Sequence, residues 1–588
     1  MTLRRGFGIV VVIVLAAFAF SALGLAAVFF LMFREPPVPS RSTFVLRVSS
    51  DLLVESGDEG LGQFLPGTRR HNIRNVVQAI GRARSDPRIT SLVVVPSGAD
   101  TPYWAMIQEL RDAIAGFRAS GKKTVAFLEY GGDREYYLAT ACEQIYLLPS
   151  SPLQLTGIAS YEIFLRGTLD KIGAYPDFYH IGDYKTAPNA YTERTFTPAH
   201  REMSQSLNRD AFEQLVRAVA DSRRKTEREV EDLLNQGPFL PDEAVNAGLV
   251  DGLAYEDEVF DRLQSGDGDR RVTFDQYVRA QSSWGASLRR APRIALVYAS
   301  GTIVSGESGY DPINGQVVGS DTLVRAVREI REDDSIRAII LRIDSPGGSA
   351  VASDVIWREL RVASRHGKGR PLVASMSDLA ASGGYYIAMA APTIVAQPGT
   401  LTGSIGIFGG KIVTGGTLAK LGANIESVSE GQFAEINSPA RPYNEAEREK
   451  LQDQLEAFYD QFVEKVAEAR RMTPEQVDRI AQGRVWTGRQ AKDIGLVDAL
   501  GGLDRAIALA KEKAGIRPEA SVSLVVYPAR RSFFELLTSQ IAASESATSR
   551  RLLAIIGAGA AEDLHPPASP FLFRRGEVLA LMPVARIR

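Results

Sequence analysis

One cysteine, Cys142, stands in 588 residues, which excludes an intrachain disulfide framework and a cysteine-rich metal site. Its neighbours Tyr137, Leu138, Ala139 and Ala141 are small or apolar, so it reads as an inert buried thiol rather than a reactive one. Histidine is scarce too: His71, His180, His200, His366 and His565 form no H-x-x-x-H or H-E-x-x-H pair. A zinc hydrolase is therefore not expected, and no metal or other cofactor is called for. Excess charge of one sign is also missing, with 68 basic against 70 acidic residues and a net charge of -2. No basic patch or stripe stands out, so no nucleic-acid partner is expected. After residue 33 no segment is long and apolar enough to cross a bilayer.

The N-terminus is where a long apolar run does occur. No charged residue interrupts Gly6–Phe33, and this exceeds the ~20 residues that a transmembrane helix needs. Small residues between Ala22 and Ala27 leave a cleaved signal peptide as the competing reading. The run continues through Val28–Phe33, however, beyond the roughly 7–15 residues of a signal core. An uncleaved anchor is expected over residues 1–41. Arg4 and Arg5 place the stub in the cytoplasm and the body outside, although Arg34 and Arg41 weaken that bias. The rest, 45% hydrophobic and 23% charged over the whole chain, has ordinary globular composition and is too long for one core.

Internal similarity supplies the domain plan. Glu135–Ala139 (EYYLA) is echoed by Gly384–Ala388 (GYYIA), with Tyr136 and Tyr385 249 positions apart. Gly167–Ala174 (GTLDKIGA) returns at the same offset as Gly416–Ala423 (GTLAKLGA), and Gly248–Asp251 (GLVD) returns 247 positions later as Gly495–Asp498. Three matches in one order at nearly one offset mark a tandem duplication. Within each half, strands alternate with helices. Phe44–Val48, Leu92–Val95 and Thr124–Leu128 read as buried strands of the first half; Ile294–Tyr298 and Ala338–Ile343 read so in the second. Thr322–Arg331, Ser349–His366 and Leu379–Ala390 read as helices. The alternation implies α/β halves built on parallel sheet. Expected boundaries are 42–265 and 293–521, a linker over 266–292, and a tail over 522–588. Phe533–Ile541 and Arg551–Ile556 are candidate short helices of that tail.

Two glycine-marked segments belong to the second half alone. Asp344-Ser345-Pro346-Gly347-Gly348-Ser349 follows a strand and precedes a helix, where glycines let backbone N–H groups turn into a cavity. Ala380-Ala381-Ser382-Gly383-Gly384-Tyr385 places a serine at a helix start, with glycines that admit a substrate backbone. Either alone is an ordinary turn or helix start. One strand–helix unit apart, they point to a nucleophile, Ser382, and to oxyanion donors around Gly347, Gly348 and Gly383.

These segments, with Leu401-Thr402-Gly403-Ser404-Ile405-Gly406, resemble the signatures of the signal peptide peptidase A family, serine peptidase family S49. The duplication and the anchor resemble its long form. The resemblance implies two tandem domains of the Clp protease/crotonase-like fold. It also implies hydrolysis of cleaved signal peptides and other short apolar peptides, and a homo-oligomer, a tetramer in the family. A single-pass location in the bacterial inner membrane, with the body in the periplasm, follows from the same likeness.

A serine needs a base. His366 sits on an expected helix end beside Gly367-Lys368-Gly369-Arg370, and His565 lies in the tail, so neither suits the part. The family's long form takes a lysine from a Gly-x-Tyr-Lys segment of the first half, and Gly182-Asp183-Tyr184-Lys185 matches it. The duplication adds an independent argument. The position equivalent to Lys185 in the second half is Ala434, and the one equivalent to Ser382 in the first is Asp133. Each half thus keeps one member of a pair. On its own a lysine is a solvated charge. A base requires burial that lowers its pKa from about 10.4 by several units. Ser404, in the third motif, is a candidate to orient that lysine, though Thr-Gly-Ser is also a plain loop sequence. Two other readings stand beside this one: an inactive membrane scaffold on the same fold, and an acyl-CoA enzyme of the crotonase type.

Overall fold

The computed structural model describes residues 38–49, 72–97, 104–263, 270–280, 291–311, 315–365, 369–528, 577–582 and 586–587. The apolar run 6–33, His366, Phe533–Ile541 and Arg551–Ile556 lie outside the described residues. Among the described residues no helix is long and apolar enough to cross a membrane.

In the first half, β1 (Ser42–Val48), β2 (Ile89–Pro96), β3 (Lys123–Leu128) and β4 (Gln144–Leu147) are β-branched-rich and almost wholly buried. α1 (Ile73–Ser85) and α2 (Ala105–Arg118) connect them, and α3 (Asp133–Ala139) follows β3. Later come β5 (Tyr175–Ile181), the long helix α4 (Pro198–Arg223), β6 (Gly252–Leu253) and β7 (Arg271–Thr273). Six of these strands form an all-parallel sheet in the order β7-β1-β2-β3-β4-β6. Strands buried on both faces read as continuous apolar runs, which is why Leu92–Val95 was legible as a strand. The stretch expected as a linker, 266–292, is partly built into this half. β7 pairs with β1, and helix Phe274–Ala280 buries Phe274 and Tyr277 against it.

The second half repeats the plan. It runs β8 (Arg293–Ser300), β9 (Thr302–Val304), β10 (Gly309–Asp311), β11 (Gly315–Gly319), α5 (Ser320–Glu332), β12 (Ile336–Ser345) and β13 (Gly347–Ser349). Next are α6 (Ala350–Arg365), β14 (Leu372–Ala381), α7 (Gly383–Ala388), β15 (Thr393–Ala396), β16 (Leu401–Gly403) and β17 (Ile407–Val413). α8 (Glu445–Arg470), β18 (Val485–Thr487), α9 (Leu503–Lys513), β19 (Ser523–Tyr527) and β20 (Leu579–Leu581) complete it. The core sheet runs β18-β16-β14-β12-β8-β19, with β15 also on β14. The expected helix Leu379–Ala390 is corrected: Leu379, Ala380 and Ala381 pair in parallel with Leu401, Thr402 and Gly403, so the strand runs on to the residue before Ser382.

The duplication is visible in side chains. Tyr136 donates its hydroxyl to the Leu249 carbonyl at 2.6 Å, and Tyr385 does the same to Leu496 at 3.0 Å. Arg223 grips Asp251 with two N–H groups, as Arg470 grips Asp498.

A third sheet crosses between the halves in the order β10-β11-β9-β13-β20-β17-β5. β5 of the first half pairs antiparallel with β17 of the second over its whole length, from Ile181–Ile407 to Tyr175–Val413. Two pieces of the stretch expected as a tail are strands of the body. β19 joins the core sheet beside β8, and β20 lies between β13 and β17.

Candidate active site

The β5–β17 pairing carries the chain across the domain boundary four residues before Lys185. There Gly182, at φ +96°, turns the backbone against Gln482, where a Cβ would come within 2.4 Å. Tyr184 N–H bonds the Gln482 carbonyl at 2.9 Å, and Lys185 N–H bonds that of Gly182 at 3.1 Å. The first-half loop is thus fastened to the second half at the residue before the lysine and folded back on itself at the lysine.

Ser382 sits between β14 and α7 at φ 56°, ψ -114°, outside the favoured regions for an L-residue. Its N–H bonds the Gly403 carbonyl at 2.7 Å, and its carbonyl accepts from Tyr386 N–H at 2.8 Å. Such a strained strand-to-helix elbow persists because the surroundings over-determine it, and it pushes the serine side chain out of the sheet.

Lys185 Nζ lies 2.8 Å from Ser382 Oγ, 3.1 Å from Ser404 Oγ and 3.2 Å from the Ser404 carbonyl. All three residues are fully buried. Burial holds the Lys185 amine well below its ordinary 10.5, because the charged form loses its hydration. Ser404, at φ 49°, is pinned by its N–H to the Arg484 carbonyl at 2.7 Å.

The glycines differ in position. Gly347 (φ +100°) and Gly383 pack so closely that a Cβ on Gly347 would lie 2.7 Å from Gly383 N. As the first residue of α7, Gly383 has no acceptor for its N–H within its own helix. The Gly347 N–H, by contrast, bonds Ser345 Oγ at 3.1 Å. Gly348, at φ +154°, packs on Ile303 and pairs with Ala580 of β20.

Two residues were not singled out from sequence. A Cβ on Gly483 (φ +79°) would fall 2.4 Å from Lys185 N and Cα, and one on Gly406 would fall 3.2 Å from Lys185 Cδ. Both glycines make the channel in which the lysine lies. Gly406 belonged to the third motif; Gly483, in an ordinary Gln-Gly-Arg turn, carried no signal.

The first half holds no copy of the pair. Asp133, at the Ser382-equivalent position, accepts the N–H groups of Thr156 and Gly157, each at 3.1 Å, and burial pushes its carboxyl up to about 6. Ala434, equivalent to Lys185, is exposed. Cys142 is a buried free thiol, pushed up to about 12 by burial. Among the described residues no group of three His, Cys, Asp or Glu side chains is placed to hold a metal.

The chain is similar in sequence to known proteins. The chloroplastic serine protease SPPA of Arabidopsis thaliana is 36% identical over 453 residues, covering 76% of this chain and 66% of that protein, just under two thirds. Protease 4 of Salmonella typhi is 35% identical over 464 residues, covering 76% and 73%, and Protease 4 of Haemophilus influenzae is 30% identical, covering 78% and 76%. The model of peptidase family S49 matches twice, at residues 116–268 and 364–517, once in each half. The chain belongs to peptidase family S49, a family of serine peptidases.

Proposed function

We propose that this peptidase works by a Ser–Lys dyad shared between its halves, with Ser382 as nucleophile and Lys185 as general base. The observation that carries the reading is the 2.8 Å contact between Ser382 Oγ and a lysine that burial favours as the free amine. A neutral amine has two N–H groups and one lone pair. The two donors suit the Ser404 carbonyl and hydroxyl, which leaves the lone pair for the Ser382 O–H.

Lys185 takes the Ser382 proton as Oγ attacks the scissile carbonyl. The Gly383 N–H faces the oxyanion, joined by the Gly347–Gly348 backbone once Ser345 Oγ releases Gly347. The lysine then gives its proton to the leaving amine, and the C–N bond breaks. Water, deprotonated by the same lysine, opens the acyl ester and returns the serine. Ser404 orients the amine throughout.

The substrates follow from membership of the family: cleaved signal peptides and other short apolar peptides. The two halves take the Clp protease/crotonase-like fold, the apolar run 6–33 anchors the chain in the bacterial inner membrane with the body periplasmic, and the working form is a homo-oligomer. The buried pair argues against an inactive scaffold, and a lysine-paired serine is foreign to the carboxylates of crotonase-type enzymes. Hydrolysis of an apolar peptide ester by the full chain, beside Ser382→Ala and Lys185→Ala, tests the dyad. Both variants should fold and lose turnover. Activity that survives Lys185→Ala would require another base.

A further inference from the structure

The third sheet is continuous only because the C-terminal segment fills its middle. β20 pairs antiparallel with β13 through Leu581–Gly347, Ala580–Gly348 and Leu579–Ser349, and with β17 through Leu579–Phe408. The Ala350 N–H to the Val578 carbonyl at 3.1 Å, and the Met582 N–H to the Pro346 carbonyl at 2.8 Å, extend the pairing at both ends. Without this segment β13 and β17 would face each other across a slot one strand wide, about 9–10 Å, with backbone hydrogen-bonding groups on both walls. An extended peptide is the ligand such a slot takes.

The slot opens onto the candidate dyad. The Ala580 carbonyl lies 2.1 Å from where a Gly347 Cβ would stand and 3.1 Å from the same point on Gly383. Leu579 and Leu581 pack with Phe408 and with Ala187, two residues beyond Lys185. Met582 belongs to one buried apolar cluster with Ala381, the neighbour of Ser382. The segment Val578-Leu579-Ala580-Leu581-Met582 is itself wholly apolar, with its small alanine against the glycines. Farther on, the backbone of Arg586–Ile587 pairs with Ser160–Tyr161 of the first half, so the strand is held on both sides of the domain boundary.

We propose that residues 578–582 are an intramolecular occupant of the peptide-binding slot, and that β20 leaves β13 and β17 before a peptide is cleaved. This autoinhibitory role rests on the peptidase reading above. The alanine-centred apolar strand also reports what the slot accepts: an extended peptide with apolar side chains facing Phe408 and Ala187, and a small residue beside Gly347.

Leu579→Asp/Leu581→Asp in the full chain places two carboxylates against Phe408 and Ala187 and should expel the strand. The expected result is at least a tenfold rise in kcat/KM for a quenched apolar decapeptide. A synthetic Glu577–Met582 peptide should then inhibit that variant competitively and wild type only weakly. A folded variant that a fluorophosphonate still labels, with unchanged or lower kcat/KM, would make β20 a wall of the site and overturn the proposal.

A second measurement needs no variant. Saturating wild type with an apolar peptide boronate should remove hydrogen-exchange protection from the amides of 578–582. Retained protection in the fully inhibited enzyme would overturn the proposal. Failure of the peptidase reading looks different: no fluorophosphonate labelling that Ser382→Ala abolishes, and no turnover in any form.

Discussion

Arg342 of β12 and Glu109 of α2 form a buried ion pair between the two halves, Nη2 to Oε2 at 2.6 Å, with side chains 1% and 5% exposed. The arginine also bonds Ser375 Oγ at 3.0 Å and Ser377 Oγ at 3.2 Å, and the second carboxylate oxygen accepts Leu503 N–H at 2.8 Å. Removing one partner strands the other charge without water. Glu109→Ala should cost about 3–5 kcal/mol, the range for breaking a buried pair. Chemical denaturation checks this. Because α2 then loses one of its holds on the second half, beside those of Met106, Gln108 and Asp112, peptidase activity should fall although the substitution is remote from Ser382.

Lys185 has the opposite character, a buried amine that burial alone holds well below its ordinary pKa. Its folded pKa is depressed, so between that value and 10.5 the unfolded chain binds a proton that the folded chain does not. Wild-type stability therefore gains from this group as pH rises through that window. Lys185→Met lacks the titration. Its stability relative to wild type should be greatest at low pH and shrink by about 1.4 kcal/mol per pH unit across the window. Urea unfolding at several pH values measures the slope, and a pH-independent difference would mean that the lysine stays charged. For wild-type turnover the same depression predicts that kcat rises with pH through a value well below 10.5.

Much of this architecture was legible because the chain states it twice. Repeated EYYLA/GYYIA and GLVD segments marked the halves, and the missing partners at Asp133 and Ala434 pointed to one shared site. Buried parallel strands such as β2 are apolar on both faces over most of their length, and short-range pattern finds them. Pattern failed where a strand's identity depends on distant pairing. Leu379–Ala381 has helix-compatible composition and becomes strand only against Leu401–Gly403. Val578–Met582 is five ordinary apolar residues until β13 and β17 flank it. Gly483 is a turn glycine by sequence, and its role comes from Lys185, almost three hundred positions earlier.

Ser404 offers Lys185 two acceptors, its hydroxyl and its carbonyl. Ser404→Ala removes only the first. A hydrogen bond to a group that becomes charged is worth about 1.5–3 kcal/mol, so kcat should drop roughly ten- to hundredfold. KM should hold, because the hydroxyl faces the lysine rather than the slot. Ser404→Thr, which keeps the hydroxyl, should recover part of the loss. An equal fall in kcat for both variants would point to packing rather than orientation.

Gly483 and Gly422 separate backbone strain from displacement of the lysine. Both hold φ at +79°, so alanine at either site carries the left-handed penalty, roughly 1–2 kcal/mol. At Gly422 a Cβ meets nothing within 4 Å; at Gly483 it would lie 2.4 Å from Lys185 N and Cα and 2.5 Å from its Cβ. Gly422→Ala should thus lower the melting temperature and leave kcat near wild type. Gly483→Ala should lower both, with kcat down about a hundredfold, the cost of moving a catalytic group by about 1 Å. Thermal unfolding and single-turnover hydrolysis on the pair make the comparison. If the two variants lose activity equally, the fit of Gly483 against the lysine is not what positions it, and the strained backbone alone accounts for the loss.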